Sequence, residues 1–104
     1  ATPGIDGCWI GPGDLALSLG IHPSVSYGDE RHEHAIAQIL EACRKTGKIP
    51  GFAAFTPQEA KKRAEQGFLF LTAGTDFLFM EEGVRNGVAY LYGDPTQQGD
   101  TYGN

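Results

Sequence analysis

Apolar and polar positions alternate in blocks along this chain, and each block carries the period of one kind of element. Gly7-Cys8-Trp9-Ile10 is a short apolar run between Asp6 and the turn Gly11-Pro12-Gly13, which predicts a buried strand. Asp14 to Leu19 gives one or two helical turns closed by Gly20. Ile21 to Gly28, with Pro23, Ser24, Ser26 and Gly28, reads as a loop. From about Asp29 to Thr46 a helix is expected: Ala35, Ile36, Ile39, Leu40 and Cys43 make one buried stripe, Glu41, Arg44 and Lys45 lie off it, and Gly47 ends it.

Ile49 to Phe55 is a second apolar run and a second buried strand. Thr56-Pro57-Gln58-Glu59 is a helix start: Thr56 caps, Pro57 presets φ at the first helical position, and Glu59 is placed to close a capping box. That helix runs to Gln66 and stops at Gly67, with Ala60 and Ala64 as its expected inner face. Phe68 to Ala73 is the third strand, and Gly74-Thr75-Asp76 turns into a last helix from about Asp76 to Tyr92. Gly93 to Asn104 reads as a polar tail, with Tyr102 its only large side chain of core type. Strands without polar alternation, each followed by a helix, predict an α/β fold with a parallel sheet covered on both faces. Such folds place chemistry at the carboxyl ends of strands, here the turns after the first and third.

Composition narrows the function. The chain has 104 residues, 40% hydrophobic, which suits one domain with a real core. Eight Lys plus Arg against thirteen acids, a net charge of -5, argue against a nucleic-acid partner. No apolar run approaches the ~18 residues of a membrane helix, and no signal peptide is expected at the start. Cys8 and Cys43 have no metal or redox spacing and read as reduced packing residues, which suits the cytoplasm.

The first turn carries the candidate chemistry. Gly11-Pro12-Gly13-Asp14-Leu15-Ala16 matches the dinucleotide pattern Gly-x-Gly-x-x-Ala, but Pro12 removes an amide from the loop, the following helix is short, and the acids about twenty residues on, Glu33 among them, fall in a helix. Asp14 can cap the short helix or present a carboxylate to a ligand. His22 precedes a proline, while His32 and His34 point to different sides of a helix, so all three read as solvated. Asp76 reads as the cap of the last helix.

Residues Gly4 to Gly20, Gly-Ile-Asp-Gly-Cys-Trp-Ile-Gly-Pro-Gly-Asp-Leu-Ala-Leu-Ser-Leu-Gly, resemble a block of the HpcH/HpaI aldolase family. The likeness continues through Thr46-Gly47-Lys48, Gly51-Phe52-Ala53, Gly67 and Ala73-Gly74-Thr75-Asp76, and covers about residues 4 to 92. The resemblance implies a (β/α)8 barrel and a lyase that cleaves or forms carbon–carbon bonds between a pyruvate-type 2-oxo acid and an aldehyde, with magnesium, manganese or cobalt. It implies that Asp14 is a metal ligand and that Gly13 and Asp14 hold the substrate carboxylate. Ala53 and Thr75 would face the substrate.

A (β/α)8 barrel needs about 250 residues. By the resemblance this chain is the C-terminal part, strands six to eight, and the family's second metal carboxylate, catalytic His and substrate-binding Arg lie upstream. The remaining N-terminal part is then an expected partner. A start at Ala1-Thr2-Pro3 without Met fits a piece of a longer protein. The last helix carries two stripes, one of Phe77, Met80, Val84, Val88 and Leu91 and one of Phe79, Gly83, Gly87 and Tyr90, and with the resemblance this implies a homo-oligomer through that helix. Two other readings stand beside the aldolase: a non-catalytic half-barrel for binding or assembly, and a nucleotide-binding domain.

Overall fold

Three strands and four α-helices form where the apolar blocks place them. In chain order they are β1 (Gly7–Ile10), α1 (Pro12–Ser18), a 3-10 turn (Pro23–Val25), α2 (Glu30–Thr46), β2 (Ile49–Ala54), α3 (Pro57–Gln66), β3 (Phe70–Ala73) and α4 (Asp76–Tyr92). The computed structural model describes residues 1–93, so the expected tail lies, apart from Gly93, outside the described residues. The described residues divide into two compact units, Ala1–Ala73 and the part from Gly74 on.

In the first unit the sheet order is β1-β2-β3, parallel throughout. Ile10 pairs with Phe52 and Phe52 with Leu71; Trp9 pairs with Gly51 and Gly51 with Phe70. α1 starts at Pro12, two residues before the expected Asp14, because a proline ring presets the φ of a first helical residue. Asp29 caps α2, its carboxylate accepting from Arg31 N at 2.9 Å, and Gly47 closes α2 at φ 68°. Thr56 caps α3 by accepting from Glu59 N at 3.1 Å. The reciprocal half of the expected capping box is not made, since Glu59 Oε1 accepts from Arg63 Nε at 2.9 Å instead. β3 begins at Phe70, later than expected, because Phe68 N is engaged by Arg63 O at 3.1 Å in closing α3.

α2 and α3 pack on one face of this sheet. Ile10, Ile36, Phe52, Ala54 and Phe68 form the core, with the Phe52 and Phe68 rings edge to face at 5.6 Å. The inner face of α3 differs from expectation: Ala64 is exposed, and Arg63, only 1% exposed, points inward beside Ala60. An arginine is tolerated there because carboxylates and an aromatic ring receive it, as described below.

Covering of the sheet on both faces is not what the described residues show. The opposite face carries Trp9, Ile49 and Phe70, 53%, 49% and 63% exposed, with Gly51 between the two rings. Trp9 and Phe70 meet edge to face at 6.1 Å across Gly51, where a Cβ would stand 2.5 Å from Trp9 Cδ1. Cys8 is also exposed rather than buried, and its thiol adjoins that of buried Cys43; both are free. Burial, with Cys8 alongside, pushes the Cys43 thiol up.

In the second unit Thr75, not Asp76, caps α4, its hydroxyl accepting from Leu78 N at 3.2 Å. No described residue of α4 is buried, so both of its expected packing stripes stand exposed. Among the described residues no helix is long and apolar enough to cross a membrane.

Candidate active site

The turn after β1 is built from residues chosen for their backbone. Gly11 is the N-cap of α1 and supplies no side-chain cap, Pro12 occupies the first turn, and Leu15 N donates to Gly11 O at 2.9 Å. Asp14 is exposed and its carboxylate folds back over Gly11, where an added Cβ would lie 2.7 Å from Oδ2. Among the described residues this carboxylate has no hydrogen bond or ion pair. Asp14 therefore does not cap α1; it stands free at the carboxyl end of a strand, available to a ligand.

A cavity of about 210 Å³ opens at the carboxyl ends of β1 and β2, and Asp14 is not among its lining residues. Pro12 and Gly13 from the turn, Ala53 and Phe55 from the end of β2, and His32 and Arg63 from α2 and α3 are among its lining residues. The structure brings Gly13 and Ala53 to one cavity. Ala53 pairs with Thr72, whose hydroxyl donates to Ala54 O at 2.8 Å and steadies that strand end. Thr75 belongs to the second unit, where its hydroxyl is engaged in capping α4; Asp76 Oδ1 accepts from Phe77 N at 2.8 Å.

Two lining side chains were not picked out by the sequence. His32 is 3% exposed, contrary to the solvated reading, and its Nε2 lies 2.9 Å from Pro12 O. It extends the α2 stripe one turn back from Ile36, a continuation that periodicity alone could have flagged. His34 is exposed as expected, and His22 engages Ser24 through Nδ1. Arg63 donates from Nη1 and Nη2 to the two Glu33 oxygens, both at 2.8 Å, and to Gln66 Oε1 at 3.0 Å. Its guanidinium lies 4.5 Å from the Phe52 ring centroid, and Lys62 Nζ adds 3.3 Å to Glu33 Oε1. The Arg63 hydrogen bonds hold the Glu33 carboxyl down to about 2, and carboxylate bonding in turn holds the guanidinium charged against its burial.

This arrangement decides against dinucleotide binding. Glu33 is consumed by Arg63 and Lys62, so it is not free to receive a ribose hydroxyl. α1, at seven residues, is also a short stop for a pyrophosphate. A divalent cation fares differently. Among the described residues no three His, Cys, Asp or Glu side chains are grouped to hold a metal. The exposed, unpaired Asp14 carboxylate fits as one oxygen ligand of a hard cation that takes its others from water, substrate or another segment.

No family model matches the chain. Curated proteins do. It is 36% identical over 88 residues to a hydroxypyruvate/pyruvate aldolase of Paraburkholderia phytofirmans, across 82% of this chain and 32% of that protein. It is 38% identical over 87 residues to a 2-keto-3-deoxy-L-rhamnonate aldolase of Salmonella paratyphi A, across 80% of this chain and 30% of that protein. A hydroxypyruvate/pyruvate aldolase of Rhizorhabdus wittichii is 36% identical over 89 residues, across 86% of this chain and 36% of its own length. The chain spans about a third of the length of these relatives.

Proposed function

We propose, from the premise that this chain belongs to the HpcH/HpaI aldolase family along the length its relatives match, that it supplies one side of the active site of a divalent-metal-dependent aldolase. The substrates are a pyruvate-type 2-oxo acid and an aldehyde. The observation that carries this reading is the exposed Asp14 carboxylate, without a partner among the described residues, in the same turn as Gly13, which lines one cavity with Ala53.

Asp14 would hold the cation, which when bound supplies Lewis-acid polarisation of the 2-oxo group. The amides of Gly13 and Asp14, in the first turn of α1, would receive the substrate carboxylate, and Pro12, lacking an amide, leaves that task to them. A Cβ at Gly13 would meet nothing within 4 Å, so substrate can approach this backbone closely. Ala53 leaves room where a longer aliphatic side chain would fill the cavity. The second metal carboxylate, the proton-transferring His and the substrate-binding Arg come from the preceding βα units of a (β/α)8 barrel, of which residues 1–92 are the C-terminal part. Those units would also cover Trp9, Ile49 and Phe70.

The exposed stripes of α4 support a homo-oligomer in which this helix crosses the interface. Gly83 and Gly87 leave open space for an approaching backbone, since a Cβ on either meets nothing within 4 Å. Free cysteines suit a reducing, cytoplasmic location.

The test is an assay of the complete protein with pyruvate or hydroxypyruvate, a panel of aldehydes, and magnesium, manganese or cobalt, with chelated controls. Carbon–carbon bond formation that stops on chelation is the expected result. Binding of the 2-oxo acid without turnover would select the non-catalytic half-barrel, and turnover indifferent to chelation would refute the metal.

A further inference from the structure

We propose that His32 is the positioning residue of the Gly11–Asp14 turn, holding the backbone that presents Gly13 and Asp14 to the 2-oxo acid. The inference rests on the aldolase reading for its kinetic consequence, and on the structure alone for the positioning itself.

The turn needs an external anchor. α1 has seven residues, below the length at which a helix sustains itself, and its N-cap Gly11 makes no side-chain capping bond. Asp14, the acid of the first turn, folds its carboxylate back over Gly11 without a hydrogen bond or ion pair among the described residues. His32 meets that need from a more rigid element. It stands in the first turn of α2, a 17-residue helix capped at both ends and seated in the core by Ile36 and Cys43. Its Nε2 reaches Pro12 O at 2.9 Å across twenty residues of sequence. A carbonyl only accepts, so Nε2 carries the proton and donates.

The burial of the ring shows that this bond is what the residue is for. At 3% exposure an apolar side chain would suit the α2 stripe better than an imidazole. Among the described residues Nδ1 is buried and has no hydrogen-bond partner. The Pro12 bond is its one polar interaction among the described residues. Pro12 immediately precedes Gly13 and lines the same cavity as Gly13, Ala53 and His32. Release of Pro12 O would let the Gly13 and Asp14 amides drift from the place where a carboxylate must sit, and displacements near 1 Å cost up to about 100-fold in turnover.

The experiment compares His32→Gln with His32→Asn in the complete protein. The Gln amide nitrogen falls near the position of Nε2 and can donate to Pro12 O; the Asn amide nitrogen falls near Nδ1 and cannot. Both are polar and both remove the ring; the shorter side chain and lower helix propensity of Asn act on α2 itself, so a merely structural effect would appear as lost protection along α2. Hydrogen–deuterium exchange of the turn is read first, independently of activity, through the amide of Leu15, which donates to Gly11 O, and those that follow it in α1. His32→Gln should keep near-native protection, and His32→Asn should raise exchange there at least about tenfold while the Ile36–Cys43 segment stays protected. KM for the 2-oxo acid should follow the same split, near-native for Gln and raised about tenfold for Asn. Equal exchange in the two variants, or loss of protection spread through α2, overturns the proposal. If the wild-type protein turns over no 2-oxo acid, the aldolase reading fails, and the exchange contrast still decides the role of His32.

Discussion

Glu33→Gln gives a pH-dependent destabilisation whose size follows from one buried cluster. Glu33 receives two bonds of 2.8 Å from Arg63, which is 1% exposed, and its own side chain is 27% exposed. A carboxyl that titrates near 4.5 when unfolded and at about 2 when folded stabilises the native state by about 3 kcal/mol at neutral pH. Because the folded value is depressed, that stability is present above the unfolded value and is lost as pH falls from about 4.5 through about 2. Glutamine has the shape of the protonated acid and cannot be charged, so the substitution should cost about 3 kcal/mol at pH 7 and well under 1 kcal/mol at pH 2. Loss of one partner from a buried pair points to a similar size, about 3–5 kcal/mol, reduced here because Glu59 still neutralises Arg63. Urea unfolding of the wild type and the variant between pH 2 and 7 measures the difference directly. A cost below about 1 kcal/mol at pH 7, or one that does not shrink toward acid, would refute the assignment of stability to this pair.

Two further substitutions test the sheet and the turn. Gly51→Ala places a Cβ 2.5 Å from Trp9 Cδ1 and 3.0 Å from Phe70 O, and should destabilise by about 1–3 kcal/mol by denaturant unfolding; a neutral effect would show that Trp9 moves freely. Gly13→Ala should leave kinetics near native because its Cβ meets open space, whereas Gly13→Val should raise KM for the 2-oxo acid severalfold, and unchanged kinetics in Val would argue against a carboxylate at this turn.

What was legible in the sequence was local. The bounds of β1 and α4, the Thr56 cap and the Gly47 and Gly67 stops follow from signals a few residues long, and the structure keeps them. The parallel order follows because each apolar strand is followed by a helix. What sequence missed were side chains whose reason lies far along the chain. Arg63, between the Ala60 and Ala64 of the expected inner face, has its reason for burial in Glu33, thirty residues away. His32 looked solvated beside His34 until Pro12 O, twenty residues away, gave its ring a partner. Glu59 left its local capping role for the same reason, since a buried guanidinium binds a carboxylate more strongly than a backbone amide does. Gly13 and Ala53 were singled out through family resemblance; periodicity alone offered only two strand ends, and their meeting at one cavity is visible only in the fold.

Manganese binding to the complete protein, wild type against Asp14→Asn, tests the central claim most directly. Asparagine keeps the shape of the side chain and removes its charge, and since Asp14 has no protein partner, folding should be unaffected. Titration followed by the electron paramagnetic resonance of free manganese, with pyruvate present and absent, should show at least about a tenfold loss of affinity together with loss of turnover. Wild-type manganese affinity in a folded Asp14→Asn protein would contradict the placement of the metal at this turn.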